Sequence, residues 1–169
     1  MHQTGRLNRI EDLMKPTRLK PAFAALAAIL LTPHPAAASD QDEVMKTVHQ
    51  WVDSLNKGDT STAIAACAGQ TSIVDEFPPY EWHGEGTCAK WADELEAYNR
   101  KLGLTNSVVT LRKPRRIDIT ADRAYVVASV DFHFKENGKD GSELGALFTV
   151  ALQKGQAGWR ITGWAYSRP

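Results

Sequence analysis

The sequence predicts one α+β domain preceded by a short leader, and three observations carry that reading. Apolar residues recur at helical spacing in the first half of the chain. They alternate residue by residue through the last third, as in half-buried strands. Basic residues and a brief apolar run are concentrated in the first 38 positions. Helices first and then a long antiparallel meander is an α+β layout, in which the sheet must cover its apolar face with the helices.

The chain has 169 residues, 43% of them apolar and 24% charged. This suits a globular domain and excludes collagen-like, disordered and disulfide-dense classes. Twenty basic and twenty acidic residues cancel, so net charge makes no case for binding nucleic acid. The cancellation hides a division. Residues 1–38 carry five basic and two acidic groups, net +3, and the remaining 131 residues carry 15 and 18, net −3. The ten apolar residues Ala22 to Leu31 are too few for a membrane span, which needs roughly 18. They precede Ala36-Ala37-Ala38-Ser39, and a basic start, a short apolar run and an A-x-A site describe a secretory signal peptide cut after Ala38. Met14 opens the compact basic leader, so residues 1–13 are read as an extension upstream of the true start. An exported domain over 39–169 follows, periplasmic or secreted, with no stable membrane span after cleavage.

Ser39 or Asp40 is placed to cap the first helix, whose apolar face is Val44, Val48, Trp51, Val52 and Leu55. Asn56-Lys57-Gly58-Asp59 stops it, and Asp59 or Thr60 caps a shorter, alanine-rich helix through Cys67 that ends at Gly69. Thr71 to Phe77 reads as a strand broken by Pro78-Pro79. Tyr80 to His83 is extended, and Gly84-Glu85-Gly86 turns the chain. Thr87 caps a helix with Trp91, Leu95, Tyr98 and Leu102 on one face, closed by Gly103. Four strands follow. Pro114 marks the first, Val108 to Thr120, as an edge or bulged strand. The second, Arg123 to Lys135, aligns Ala124, Val126, Ala128, Val130, Phe132 and Phe134 at one parity. Asn137-Gly138 is a hairpin turn. The third, Leu144 to Lys154, aligns Leu144, Ala146, Phe148, Val150 and Leu152, and the last is Trp159 to Tyr166.

Three segments carry a resemblance: Trp51 to Asp59, Ile73 to Pro79 and Gly158 to Trp164. Over residues 42–167 the chain resembles the nuclear transport factor 2-like (NTF2-like) superfamily, in its SnoaL-like branch. That resemblance implies a cone-shaped curved sheet wrapped around helices, an α+β barrel with a pocket at its wide end and dimerisation through the sheet. Members range from isomerases, dehydratases and cyclases to domains without known activity, so the fold alone does not name a reaction.

The resemblance also implies an acidic general base at the end of the first strand, and Asp75 is the matching residue. A carboxylate in an apolar pocket has its charged form disfavoured, which suits a base near neutral pH. The alternative is a strand-end acid that caps a turn or meets an arginine. Alternation sends Asp75 and Glu76 to opposite faces. The tyrosine and aspartic acid that the isomerase pattern uses to stabilise an oxyanion are replaced by Trp51 and Phe148, which argues against ketosteroid isomerisation. Asp131 and His133 share a strand face opposite the apolar row, and His49 lies in the first helix. No metal-ligand spacing and no cofactor motif is present in the sequence.

Aromatic residues are the stronger signal. Trp51, Phe77, Tyr80, Trp82, Trp91, Phe148, Trp159, Trp164 and Tyr166 fall in the elements that would surround the cone. From these, Trp51, Phe77, Tyr80, Trp82, Trp91, Phe148 and Trp164, together with His83, are expected to bind a small apolar or aromatic molecule. Cys67 and Cys88, in an exported chain, point to a disulfide, with two buried thiols as the alternative. Three functions follow in order: a small-molecule binding domain, an isomerase, dehydratase or cyclase using Asp75, and an interaction module that dimerises through its sheet.

Overall fold

The computed structural model describes residues 35–169. The leader expected over residues 1–38, and the start at Met14, lie outside the described residues except for residues 35–38. Those four form the first turn of α1 (Pro35–Asn56). The helix therefore begins ahead of the expected Ser39 or Asp40 cap, because a proline suits the first helical position and three alanines favour its continuation.

Val44, Val48, Trp51 and Val52 bury one face of α1. Each such side chain contributes about 1.5–3 kcal/mol by leaving water. Helix α2 (Thr60–Ile64) is capped by Asp59, whose carboxylate accepts the Thr62 N–H at 3.0 Å. It stops short of Cys67, because Cys67 pairs with Ile161 instead and belongs to strand β1 (Cys67–Val74). Sheet pairing thus overrides the helical preference of the alanine run. Strand β2 (Glu81–Glu85) pairs antiparallel with β1. Helix α3 (Thr87–Leu102) has Gly86 at its N-cap without a side-chain cap, since the Thr87 hydroxyl donates back to the Gly84 carbonyl at 2.9 Å. Gly103, at φ +70°, closes it.

The remaining strands are β3 (Leu104–Thr120), β4 (Arg123–Glu136), β5 (Lys139–Gly155) and β6 (Gly158–Ser167). The six strands form one curved sheet in the order β2-β1-β6-β5-β4-β3, antiparallel except where β1 runs parallel to β6. Strand β3 is an edge, and its register shifts on either side of Pro114, as that proline predicts. The apolar parity of β4 faces the helices, with Ala124, Val126, Ala128 and Val130 all buried. Asn137-Gly138 forms the β4–β5 hairpin.

Three anchors fix these layers. Asn56, at the end of α1, donates to the Val109 carbonyl at 2.7 Å and accepts the Val109 N–H at 2.8 Å. It thereby covers backbone groups on the free edge of β3. The second anchor is a disulfide between Cys67 and Cys88, which ties the start of β1 to the start of α3. Asp131 is the third, and it lies across from a bulge.

That bulge corrects the expected register of β5. Val130 pairs with Ala146 but Phe132 pairs with Glu143, so β5 holds one residue more than β4 over this interval. Gly145 absorbs the kink at φ +77°. Leu144, expected in the inward row, is instead 57% exposed. Glu143 turns inward in its place. Asp131, on the outer face and 4% exposed, accepts the Gly145 N–H at 3.0 Å and pairs with Arg112. The Arg112 hydrogen bond, with the Gly145 N–H behind it, holds the Asp131 carboxyl below the usual range. His133, two residues on, is exposed.

Candidate functional site: an aromatic cavity with an acidic rim

Between α1, α3 and the concave face of the sheet lies a cavity of about 380 Å³. Helix α1 supplies Trp51, Val52 and Leu55, and α3 supplies Trp91, Leu95, Tyr98 and Leu102. Those four α3 residues are the apolar face that its helical spacing marks out. The sheet adds Val109, Val130, Phe132, Phe134, Phe148 and Trp164.

Three tryptophans form the cavity's innermost cluster. Trp91 and Trp164 meet edge to face with ring centroids 4.8 Å apart, and Trp51 lies 5.4 Å from Trp91 and 6.0 Å from Trp164. Phe148 joins Trp164 at 5.5 Å, and Phe77 stacks on Tyr98 at 5.1 Å. Aromatic pairs at such distances contribute about 0.5–1.5 kcal/mol each beyond the area they bury, so the wall is stiff.

Asp75 sits just past the end of β1, in the turn closed by the Asp75 N–H donating to the Tyr80 carbonyl at 3.0 Å. One carboxylate oxygen accepts the Trp91 indole N–H at 2.9 Å and the other accepts the Glu76 N–H at 2.7 Å. Burial pushes the Asp75 carboxyl above its ordinary value. The two hydrogen bonds oppose that shift, and the charges of Glu76 and Glu143 add to it.

A second polar group faces the cavity from β5 and β6. The Tyr166 hydroxyl donates to Glu143 Oε2 at 3.0 Å, and Arg168 Nη1 donates to Glu143 Oε1 at 3.1 Å. The Arg168 backbone N–H donates to Glu76 Oε1 at 2.6 Å, and its Nε pairs with Glu76 Oε2. Arg168 thus bridges the carboxylates of Glu76 and Glu143. Burial, followed by the Glu143 hydrogen bond and charge, raises the Tyr166 phenol, which stays a donor. Among the described residues no group of three or more His, Cys, Asp or Glu side chains is disposed to hold a metal ion.

The sequence matches no protein-family model and no curated protein. The structure matches many solved ones. An NTF2-like superfamily protein from Salmonella enterica serovar Typhimurium superposes with TM-score 0.66 at 17% identity, covering 79% of this chain and 93% of that one. An NTF2-like protein with a cystatin-like fold from Novosphingobium aromaticivorans superposes at 0.65 and 13%, covering 79% and 84%. The fold is NTF2-like. A ketosteroid isomerase-like protein from Erwinia carotovora atroseptica is also similar, at 0.58 and 14%, over 75% and 94% of the two chains.

Of the residues expected in the pocket, the NTF2-like cavity collects Asp75, Trp51, Phe77, Trp91, Phe148 and Trp164. Tyr80, Trp82 and His83 are not on its wall. Tyr80 is 57% exposed in the turn. Trp82 is buried behind Phe77, 4.8 Å between ring centroids, and gives its indole N–H to Glu94 at 2.7 Å. His83 is exposed because the alternation of β2 turns it away while Trp82 points in. Asp75 and Glu76 both reach the cavity rather than opposite faces, since β1 ends at Val74 and strand alternation no longer governs them. Trp51 and Phe148 do line the wall, and the hydroxyl on it with a resolved partner is that of Tyr166. Glu143, Arg168 and the hydroxyl role of Tyr166 went unanticipated. Gly145, a lone glycine within an alternating strand, was the available signal for Glu143.

Proposed function

We propose that this chain is an exported binding domain for a small apolar or aromatic molecule held in the NTF2-like cavity. The observation that supports it is the pocket itself, roomy enough for a small ring system and walled by aromatic side chains that the fold does not close over. Titrating naphthol while following tryptophan emission tests this. Saturable one-to-one quenching is expected, and it is expected to vanish in Leu95→Trp, which fills the cavity from α3. Failure of the wild type to saturate overturns the reading. Export is supported by the leader's composition alone, and a mature protein beginning at Ser39 is the expected result of mass spectrometry.

A specific observation favours a second reading, in which Asp75 acts as a general base. Its carboxyl is raised by burial and faces the cavity with a hydroxyl, that of Tyr166, on the same wall. Exchange of the acidic protons of β-tetralone with solvent deuterium, faster with wild type than with Asp75→Asn, is the result that supports catalysis. Equal rates remove it. Homodimerisation through the sheet is supported by Val74, Tyr125 and Leu147, apolar side chains exposed on the face turned away from the helices.

A further inference from the structure

The charges on the cavity wall are unbalanced. Asp75, Glu76, Glu136 and Glu143 line it, and Arg168 is the cationic side chain among its lining residues. Arg168 is already committed to Glu76 and Glu143. Among the described residues no cation lies within ion-pair distance of Asp75 or Glu136. Asp75 is therefore a partly buried carboxylate held by two neutral donors, with the cavity beside it as a place for a counter-ion. Trp91, which donates to Asp75, belongs with Trp51 and Trp164 to one cluster, and tryptophan rings attract ammonium groups by about 0.5–1 kcal/mol when exposed and about 2 kcal/mol or more when desolvated.

We propose that the ligand carries an ammonium head on an apolar or aromatic body, the head lying at Asp75 and the body among Trp51, Trp91, Trp164 and Phe148. This rests on the binding reading above and narrows it to a chemical class. A ligand carboxylate would meet four acidic side chains and one engaged arginine. A neutral ligand of the same shape gains the aromatic contacts and leaves Asp75 without a counter-charge. An ammonium gains both, and it relieves the cost of burying the Asp75 charge.

Three probes with one body separate these cases: naphthylethylamine, naphthylethanol and naphthylacetate, each titrated calorimetrically into the folded full domain. The amine is expected to bind at least about tenfold tighter than the alcohol, a difference of about 1.4 kcal/mol, with the carboxylate weakest. In Asp75→Asn, shown folded by circular dichroism, the amine is expected to lose that advantage. Glu136→Gln provides a second variant that lowers amine affinity without touching the Asp75 turn. Alcohol binding as tightly as amine overturns the inference while the binding reading stands. Saturable binding by none of the three overturns both.

Discussion

Opening the Cys67–Cys88 bond is the perturbation with the clearest expected size. The two cysteines are 21 residues apart, so the bond removes the loop-closure entropy of that length from the unfolded chain. The chain-entropy relation gives about 11 cal/mol/K for such a loop, or about 3 kcal/mol at room temperature. For a domain of this size the loss corresponds to a fall of about 10 °C in the unfolding midpoint. Reduction is a better test than mutation. Cys88 is 3% exposed, so truncating it would add a packing loss, whereas the two thiols keep nearly the same volume. The assay is calorimetric unfolding of the same preparation with and without reductant. The loop also contains Asp75, Glu76 and Phe77, so naphthol affinity is expected to fall in the reduced, still folded protein. Midpoints that agree to within about 3 °C would refute the assignment of the bond as a main restraint on this segment.

Three further outcomes are expected. Asn56→Ala removes two hydrogen bonds to Val109 and is expected to lower stability by about 2 kcal/mol, read from urea unfolding. Gly145→Ala places a Cβ at φ +77° in open space, so the cost is backbone strain alone, about 1–2 kcal/mol; Gly69→Ala, also in open space but without a positive φ, is expected to be neutral to slightly stabilising in the same assay. The Asp75 carboxyl is raised in the fold, so its contribution to stability is complete below the unfolded value of 3.8 and is lost as pH rises through the folded value. The stability of wild type minus that of Asp75→Asn should therefore decline from acid to neutral pH, and a difference that grows over that range refutes the burial argument.

Much of the scaffold was legible because local pattern and tertiary packing agree. The helical rows of α1 and α3, the parity of β4, the Asn-Gly hairpin and the edge position of the Pro114 strand all follow from periodicity and backbone chemistry. So does Asn56-Lys57-Gly58-Asp59, whose members end one helix, turn the chain and cap the next helix, whereas the hold of Asn56 on the edge of β3 appears only with Val109 beside it. Two of the misreadings share a cause, which is that pairing partners are not written locally. The alanine run before Cys67 reads as helix until Ile161 is beside it. The row Leu144-Ala146-Phe148 continues unbroken in the sequence, while the ladder to β4 slips by one residue within it. The site was half legible for the same reason. Its aromatic wall lies on regular elements, but Glu143 and Arg168 reach it through a bulge and a chain end.

The bulge at Gly145 gives the cavity an unusual kind of adjustability. Because side chains alternate, a ladder that ran on without the slip would set Leu144 opposite Phe132 in the wall and turn Glu143 out to the surface, with Ala146 and everything beyond it left in place. One step of register would then exchange a charged rim for a greasy one, free Arg168 and Tyr166 of their shared acceptor, and leave the packed layers intact. The fold thus holds a discrete setting for the polarity of its cavity, written in strand register rather than in the identity of any lining residue.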